Sequence, residues 1–151
     1  RDSSVTGVQT CALPIYLVIG MFSVGHGADH ITIALSEGFL CFHLSGDVPS
    51  ADIEMAIAMA ADQGMLRPDN LVLVDIRKFT GSVDWGMIRD MRRHAPWVTG
   101  AGSTERCAYL LPEGFGSFVT ILASFYPGAR HRAFRDQSSA LRWLAEKRRA
   151  A

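Results

Sequence analysis

The chain has 151 residues and no net formal charge, with 48% hydrophobic and 20% charged residues. That balance suits one globular domain and excludes a disordered or low-complexity protein, and no run approaches the roughly 18 apolar residues of a membrane-spanning helix. The neutral total hides an asymmetry: residues 16–75 carry one basic residue (Arg67) against eight acidic ones, while residues 76–151 carry thirteen basic against six acidic. So acidic a first half argues against a broad basic face for nucleic acid.

Residues Arg1 to Ile15, RDSSVTGVQTCALPI, resemble the translation of a common short-read sequencing adapter and are set aside from fold reasoning. Native sequence is then expected to resume near Tyr16, with Met21 a candidate start, and residues 16–30 form an N-terminal segment without an assigned element. Cys11 to Phe22 imitates the apolar core of a secretory signal, yet only Arg1 precedes it as a basic leader. A soluble, cytoplasmic protein without a transmembrane segment is expected, with Cys41 and Cys107 as reduced core residues.

In chain order, Ile31 to Leu35 and Phe39 to Leu44 read as an antiparallel pair of strands joined through Ser36, Glu37 and Gly38, a spacing that suits a three-residue hairpin. Ile53, Ala56, Ile57, Ala60 and Ala61 recur at helical spacing up to Gly64. Leu71 to Ile76, LVLVDI, is a nearly unbroken apolar run, the mark of a central strand buried on both faces. Asp84 to Ala95 follows as a helix with Met87, Ile88 and Met91 on one stripe, stopped by Pro96. Residues 100–105 read as a polar loop.

Cys107 to Leu111 is the next strand. Phe115, Phe118, Val119, Leu122 and Tyr126 then fall in helical register up to Pro127-Gly128. A short basic strand, Arg130 to Phe134, suits a guarded sheet edge. The last helix, capped by Asp136, buries Ala140, Leu141 and Leu144 with Trp143 beside them. The order β-β-α-β-α-β-α-β-α predicts an α/β fold: a mixed sheet of four or five strands, antiparallel at its entry and then built by βα crossovers, flanked by about four helices.

The usual catalytic signatures are missing: there is no Walker loop, His-Glu-x-x-His, Gly-x-Ser-x-Gly or Cys-x-x-Cys. Gly114-x-Gly116 lacks the third glycine of a dinucleotide loop and reads as a tight strand-to-helix turn. The histidines at 26, 30, 43, 94 and 131 are scattered. His43 shares a strand face with Cys41 and could form half of a site, but nothing in the sequence completes it. No metal, no cofactor and no enzymatic activity are expected.

Three stretches, LVLVDIRKFTGSVDW (Leu71 to Trp85), RCAYLLPE (Arg106 to Glu113) and HRAFRDQSSALRWL (His131 to Leu144), resemble the SpoIIAA-like family of the STAS superfamily. The resemblance runs from about Ile31 to Leu144. It implies a single STAS-like domain over 31–147, with a basic tail at 148–151. In the STAS regulators that antagonise anti-sigma factors, a serine at the start of the second helix is phosphorylated and switches partner binding off. This chain departs from their Asp-Ser-Ser-Gly-like run with Gly81-Ser82-Val83-Asp84, and Val83 aligns under the phosphorylated serine. Ser82 is therefore read first as a helix N-cap and second as a phosphosite, and kinase-dependent modification is expected to be absent.

The resemblance implies a non-catalytic regulatory module that binds a protein partner, as a monomer or homodimer. The expected contact surface is the loop and helix start after the central strand: Arg77, Lys78, Phe79, Thr80, Ser82 and Trp85. The alternative is a carrier or sensor of a small apolar, lipid-like ligand. Met87, Met91, Phe115 and Phe118 would line its pocket between sheet and helices, as the layout SpoIIAA-like domains share with the CRAL-TRIO lipid-binding fold implies.

Overall fold

The computed structural model describes residues 18–67, 70–91 and 106–150, with the backbone alone for 147–150. Its elements run β1 (Gly20–His26), β2 (Asp29–Ser36), β3 (Phe39–Gly46), α1 (Ser50–Asp62), β4 (Leu71–Phe79), α2 (Trp85–Asp90), β5 (Arg106–Leu110), α3 (Phe118–Phe125), β6 (Arg130–Phe134) and α4 (Gln137–Ala150). The six strands lie side by side in sequence order. β1–β2 and β2–β3 are antiparallel, and the three pairs from β3 to β6 are parallel.

The mixed α/β fold is the expected one, with one strand more. β1 falls in the stretch to which the sequence assigns no element, because GMFSVGH is punctuated by glycine and carries few strand-forming residues. It is a strand because β2 offers it a complete register, from Gly20 opposite Leu35 to His26 opposite Asp29. The β2–β3 connection is tighter than its spacing predicts. Ser36 pairs with Phe39, so the loop is Glu37-Gly38 alone, with φ of 46° and 90°. Positive φ at both central residues is the type I′ geometry whose twist matches that of the flanking strands.

Helix α1 lies where predicted and buries Ala56, Ile57 and Ala60. α2 ends sooner than its apolar stripe suggests, at Asp90; the rest of the predicted helix, from residue 92, and the predicted loop at 100–105 lie outside the described residues. α3 begins at Phe118, leaving Phe115 in the preceding turn. Asp136 caps α4 as expected, its Oδ1 accepting the Ser139 N–H at 2.8 Å. Cys107 is free and buried, but Cys41 corrects the expectation of two reduced cysteines, since it is disulfide-bonded. No helix among the described residues is long and apolar enough to cross a membrane.

Three crossovers that step in one direction along a sheet carry their helices to the same face. α1, α2 and α3 accordingly share one apolar cluster with Ile31, Phe42, Val72, Ile76 and Tyr109. The chain then turns back, and α4 covers the other face, where Ala140 and Leu144 meet Leu71, Leu73, Ala108 and Leu110. The period of two along each strand keeps these clusters apart.

The strained residue of the first hairpin gives a simple test. Glu37 holds a left-handed conformation that costs a residue with a Cβ about 1 kcal/mol. Replacing it with Asn, which tolerates that region, is expected to raise stability by about 0.5–1 kcal/mol in urea unfolding.

Candidate functional site

On the three-helix face the sheet and helices leave a cavity of about 120 Å³. Its floor includes Val72, Val74 and Ile76 of β4 with Cys107 and Tyr109 of β5; its walls include Ile57 from α1, Met87 and Ile88 from α2, and Phe118 and Leu122 from α3. The loop Ser82-Val83-Asp84 also borders it. Ser82 and Asp84 are exposed whereas Cys107 and Tyr109 are buried, so the cavity runs from a surface mouth at the loop to an inner end on β5.

The mouth is pinned by a cap. Asp84 Oδ1 accepts the Met87 N–H at 2.9 Å, satisfying one of the donors that a helix start leaves open, and this bond holds the Asp84 carboxyl below its usual range. The N-cap of α2 is therefore Asp84 and not Ser82, which stands two residues outside the helix. Trp85 begins α2 and leans on Phe118 and Phe125, with ring centroids 5.3 and 6.0 Å away.

The polar groups at the inner end form a chain. Tyr109 Oη lies 2.8 Å from His131 Nδ1, and His131 Nε2 lies 2.8 Å from the Tyr126 carbonyl oxygen. The Tyr109 and His131 rings are stacked, 5.8 Å apart and inclined by 26°. Burial lowers the pKa of His131, against the opposing pull of its bond to the Tyr126 carbonyl. Burial also raises the Tyr109 hydroxyl well above its ordinary value, with Cys107 adding to the effect, and pushes the Cys107 thiol up to about 12. Tyr109, Cys107 and His131 are accordingly neutral near pH 7.

The opposite face carries a second polar group that the sequence shows only in fragments. Ser23, Thr32, His43 and Asp75 stand in register across β1 to β4. The Ser23 and Thr32 hydroxyls are 2.7 Å apart. His43 Nδ1 lies 3.5 Å from Asp75 Oδ2, with both side chains almost wholly buried. Arg77 grips the same carboxylate with two bonds, Nε to Oδ1 at 3.0 Å and Nη2 to Oδ2 at 2.8 Å. The partner that completes the His43 half-site is thus Asp75, 32 positions along the chain, and only strand register could reveal it. Burial works to raise the Asp75 carboxyl, but its contacts with His43 and Arg77 outweigh that and hold it far below the usual range. At 3.5 Å the His43 contact is an ion-pair separation and not a well-formed hydrogen bond, so Arg77 is the principal partner.

The residues predicted for a partner surface are divided by the fold. Lys78, Thr80 and Ser82 are exposed, and Arg77 is half-exposed while bound to Asp75. Phe79 is only 7% exposed and lines the cavity; it faces inward because the β3–β4 register shifts between His43 and Ser45, and the extra β4 residue moves Phe79 to the face of Val72, Val74 and Ile76. Trp85 is half-buried against α3. Of the residues predicted for an apolar pocket, Met87, Met91 and Phe118 border the cavity, whereas Phe115 packs on Phe118 from outside it, at 5.9 Å between centroids. The sequence missed Tyr109 and His131, which sit on different strands and meet only through the β5–β6 pairing. Among the described residues no group of three His, Cys, Asp or Glu is placed to hold a metal ion.

The chain matches no protein-family model and no curated protein. Among solved structures it is similar to an uncharacterized protein of the DUF3478 family with a SpoIIAA-like fold from Shewanella loihica PV-4. That likeness covers 88% of this chain and 98% of the other, at a TM-score of 0.52 and 16% identity. The fold is SpoIIAA-like. An enoyl-CoA hydratase from Geobacillus kaustophilus HTA426 overlaps 87% of the chain and 76% of its own at a TM-score of 0.41 and 14% identity, too distant to bear on the SpoIIAA-like assignment.

The Asp75–Arg77 pair yields a pH-dependent prediction. Because the folded carboxyl lies below its unfolded value of about 3.9, the pair stabilises the protein fully above that value and progressively less as pH falls toward the folded one. Arg77→Ala leaves a buried carboxylate without its main partner and is expected to cost about 2–3 kcal/mol at pH 7. In urea titrations the gap to wild type should persist from pH 7 to 5 and shrink below about pH 4.

Proposed function

We propose that the protein is a non-catalytic, STAS-like binding module whose ligand is a small apolar molecule held between the sheet and helices α1, α2 and α3. The observation that carries this reading is the cavity of about 120 Å³ with its almost wholly apolar lining. Apolar walls hold water poorly, so an apolar occupant that replaces solvent there gains contact with the lining.

Size limits the occupant. A dry cavity of about 150 Å³ lined by Leu, Ile and Phe takes a benzene, so this one suits a single ring or a short branched chain and not a whole lipid. Titration with toluene, followed by amide chemical shifts and by melting temperature, is expected to give saturable shifts confined to the cavity-lining residues and a rise of a few degrees in Tm. Val74→Phe, which fills the void, should raise the melting temperature without ligand and abolish the toluene response; an unchanged response in that variant rules out the cavity as the site.

A second reading, contact with a protein partner, is favoured by the exposure of Lys78 near the end of β4 and of Thr80 and Ser82 in the loop that follows, where Ser82 borders the cavity. A partner docked there would sense how the cavity is filled through Asp84 and Trp85. Lys78→Glu combined with Thr80→Lys should weaken binding of a purified partner at least tenfold without changing Tm; unaltered affinity removes this surface from consideration.

A further inference from the structure

The hydrogen-bond chain at the inner end of the cavity has a fixed polarity. The carbonyl oxygen of Tyr126 can only accept, so His131 Nε2, 2.8 Å away, carries the ring proton. A neutral imidazole protonated at Nε2 presents a bare lone pair at Nδ1. Tyr109 Oη, 2.8 Å from Nδ1, must then be the donor, and its only proton is committed to His131. What Tyr109 retains is an oxygen with acceptor capacity, on a side chain that borders the cavity.

We infer that the cavity selects, among molecules of its size, a neutral ligand bearing a hydrogen-bond donor, of the phenol or small-alcohol class, whose O–H is accepted by Tyr109 Oη. The inference rests on the reading of the cavity as a ligand site and adds to it the chemistry of the ligand. Cys107, two residues back on the same strand face, interacts with the Tyr109 hydroxyl, but a thiol is a weak donor and a ligand hydroxyl displaces it. Anions are disfavoured: among the described residues the charged one bordering the cavity is Asp84, and Tyr109 offers a carboxylate no proton. A charged amine would lose its hydration against a nearly apolar wall.

The test compares phenol with toluene, a pair of equal heavy-atom count, by calorimetric or chemical-shift titration of the full chain and of Tyr109→Phe. The quantity read is the ratio of the two affinities, which cancels the general contribution of ring burial. That ratio is expected to favour phenol by about tenfold more in the wild type than in Tyr109→Phe, the worth of one hydrogen bond in a dry site. A second variant, His131→Phe, keeps an aromatic ring against Tyr109 but removes the acceptor, so the Tyr109 O–H becomes free to donate. In that variant benzaldehyde, which can only accept, should gain about tenfold over styrene relative to the wild type.

A phenol-to-toluene ratio equal in wild type and Tyr109→Phe, or a benzaldehyde-to-styrene ratio unmoved by His131→Phe, overturns the donor-selective site while leaving the apolar cavity standing. Failure of both toluene and phenol to bind the wild type overturns the cavity reading itself, and the inference with it. Should Tyr109→Phe not fold, as its melting curve will show, the benzaldehyde comparison decides alone.

Discussion

Burial of β4 from both sides is the constraint on which the rest of the molecule depends. An interior strand of a parallel region must satisfy two environments at once, and β4 does so by alternation: Val72 and Ile76 face the three-helix layer while Leu71, Leu73 and Asp75 face the other side. The only acid on its buried stretch thereby lies on the face opposite the cavity. A shift of one residue in register would exchange these sets, carrying Asp75 and its neighbour Arg77 to the apolar side and parting Asp75 from His43. The buried His43–Asp75 contact and the apolar cavity are thus two consequences of one registration.

The cavity follows from the helices above that strand. α2 has six residues and α3 eight, and such short helices cover less of a sheet face than the 13-residue α1 does. The aromatic side chains of α3, Met87 of α2 and Met91 just beyond it close most of the gap, and Met is the side chain best able to adapt to an occupant. The loop from Thr80 to Asp84 joins the surface to this interior, held at one end by the Thr80 N–H on the Gly46 carbonyl and at the other by the Asp84 cap. Ser82 and Asp84 thus border both the cavity and the solvent.

The two polar groups of the sheet differ in the state their surroundings impose. On the second face a carboxylate is kept ionised by a bidentate guanidinium, and the charge belongs to the stability of the fold. At the inner end of the cavity burial keeps Tyr109, His131 and Cys107 neutral, so direction of hydrogen bonding, and not charge, is what that site can offer a ligand. Neutral and directional recognition inside an apolar wall suits a small uncharged molecule better than an ionic one.

Local signals in the sequence determined the fold class. The apolar run LVLVDI required a strand buried on both faces, the periodicity of Ile53 to Ala61 required a helix, and the arginines of Arg130 to Phe134 marked an edge strand; these depend on spacing within one segment, where period alone separates strand from helix. What the sequence could not determine were facts of registration between segments. β1 became a strand only because β2 offered it an edge, and Phe79, which reads as part of an exposed turn, was drawn inward by the register shift between β3 and β4. His43 found Asp75, and Tyr109 found His131, across strands whose pairing no single-segment pattern encodes. The cavity belongs to the same class, because an unfilled volume is a property of how surfaces meet and leaves no signature in the order of residues.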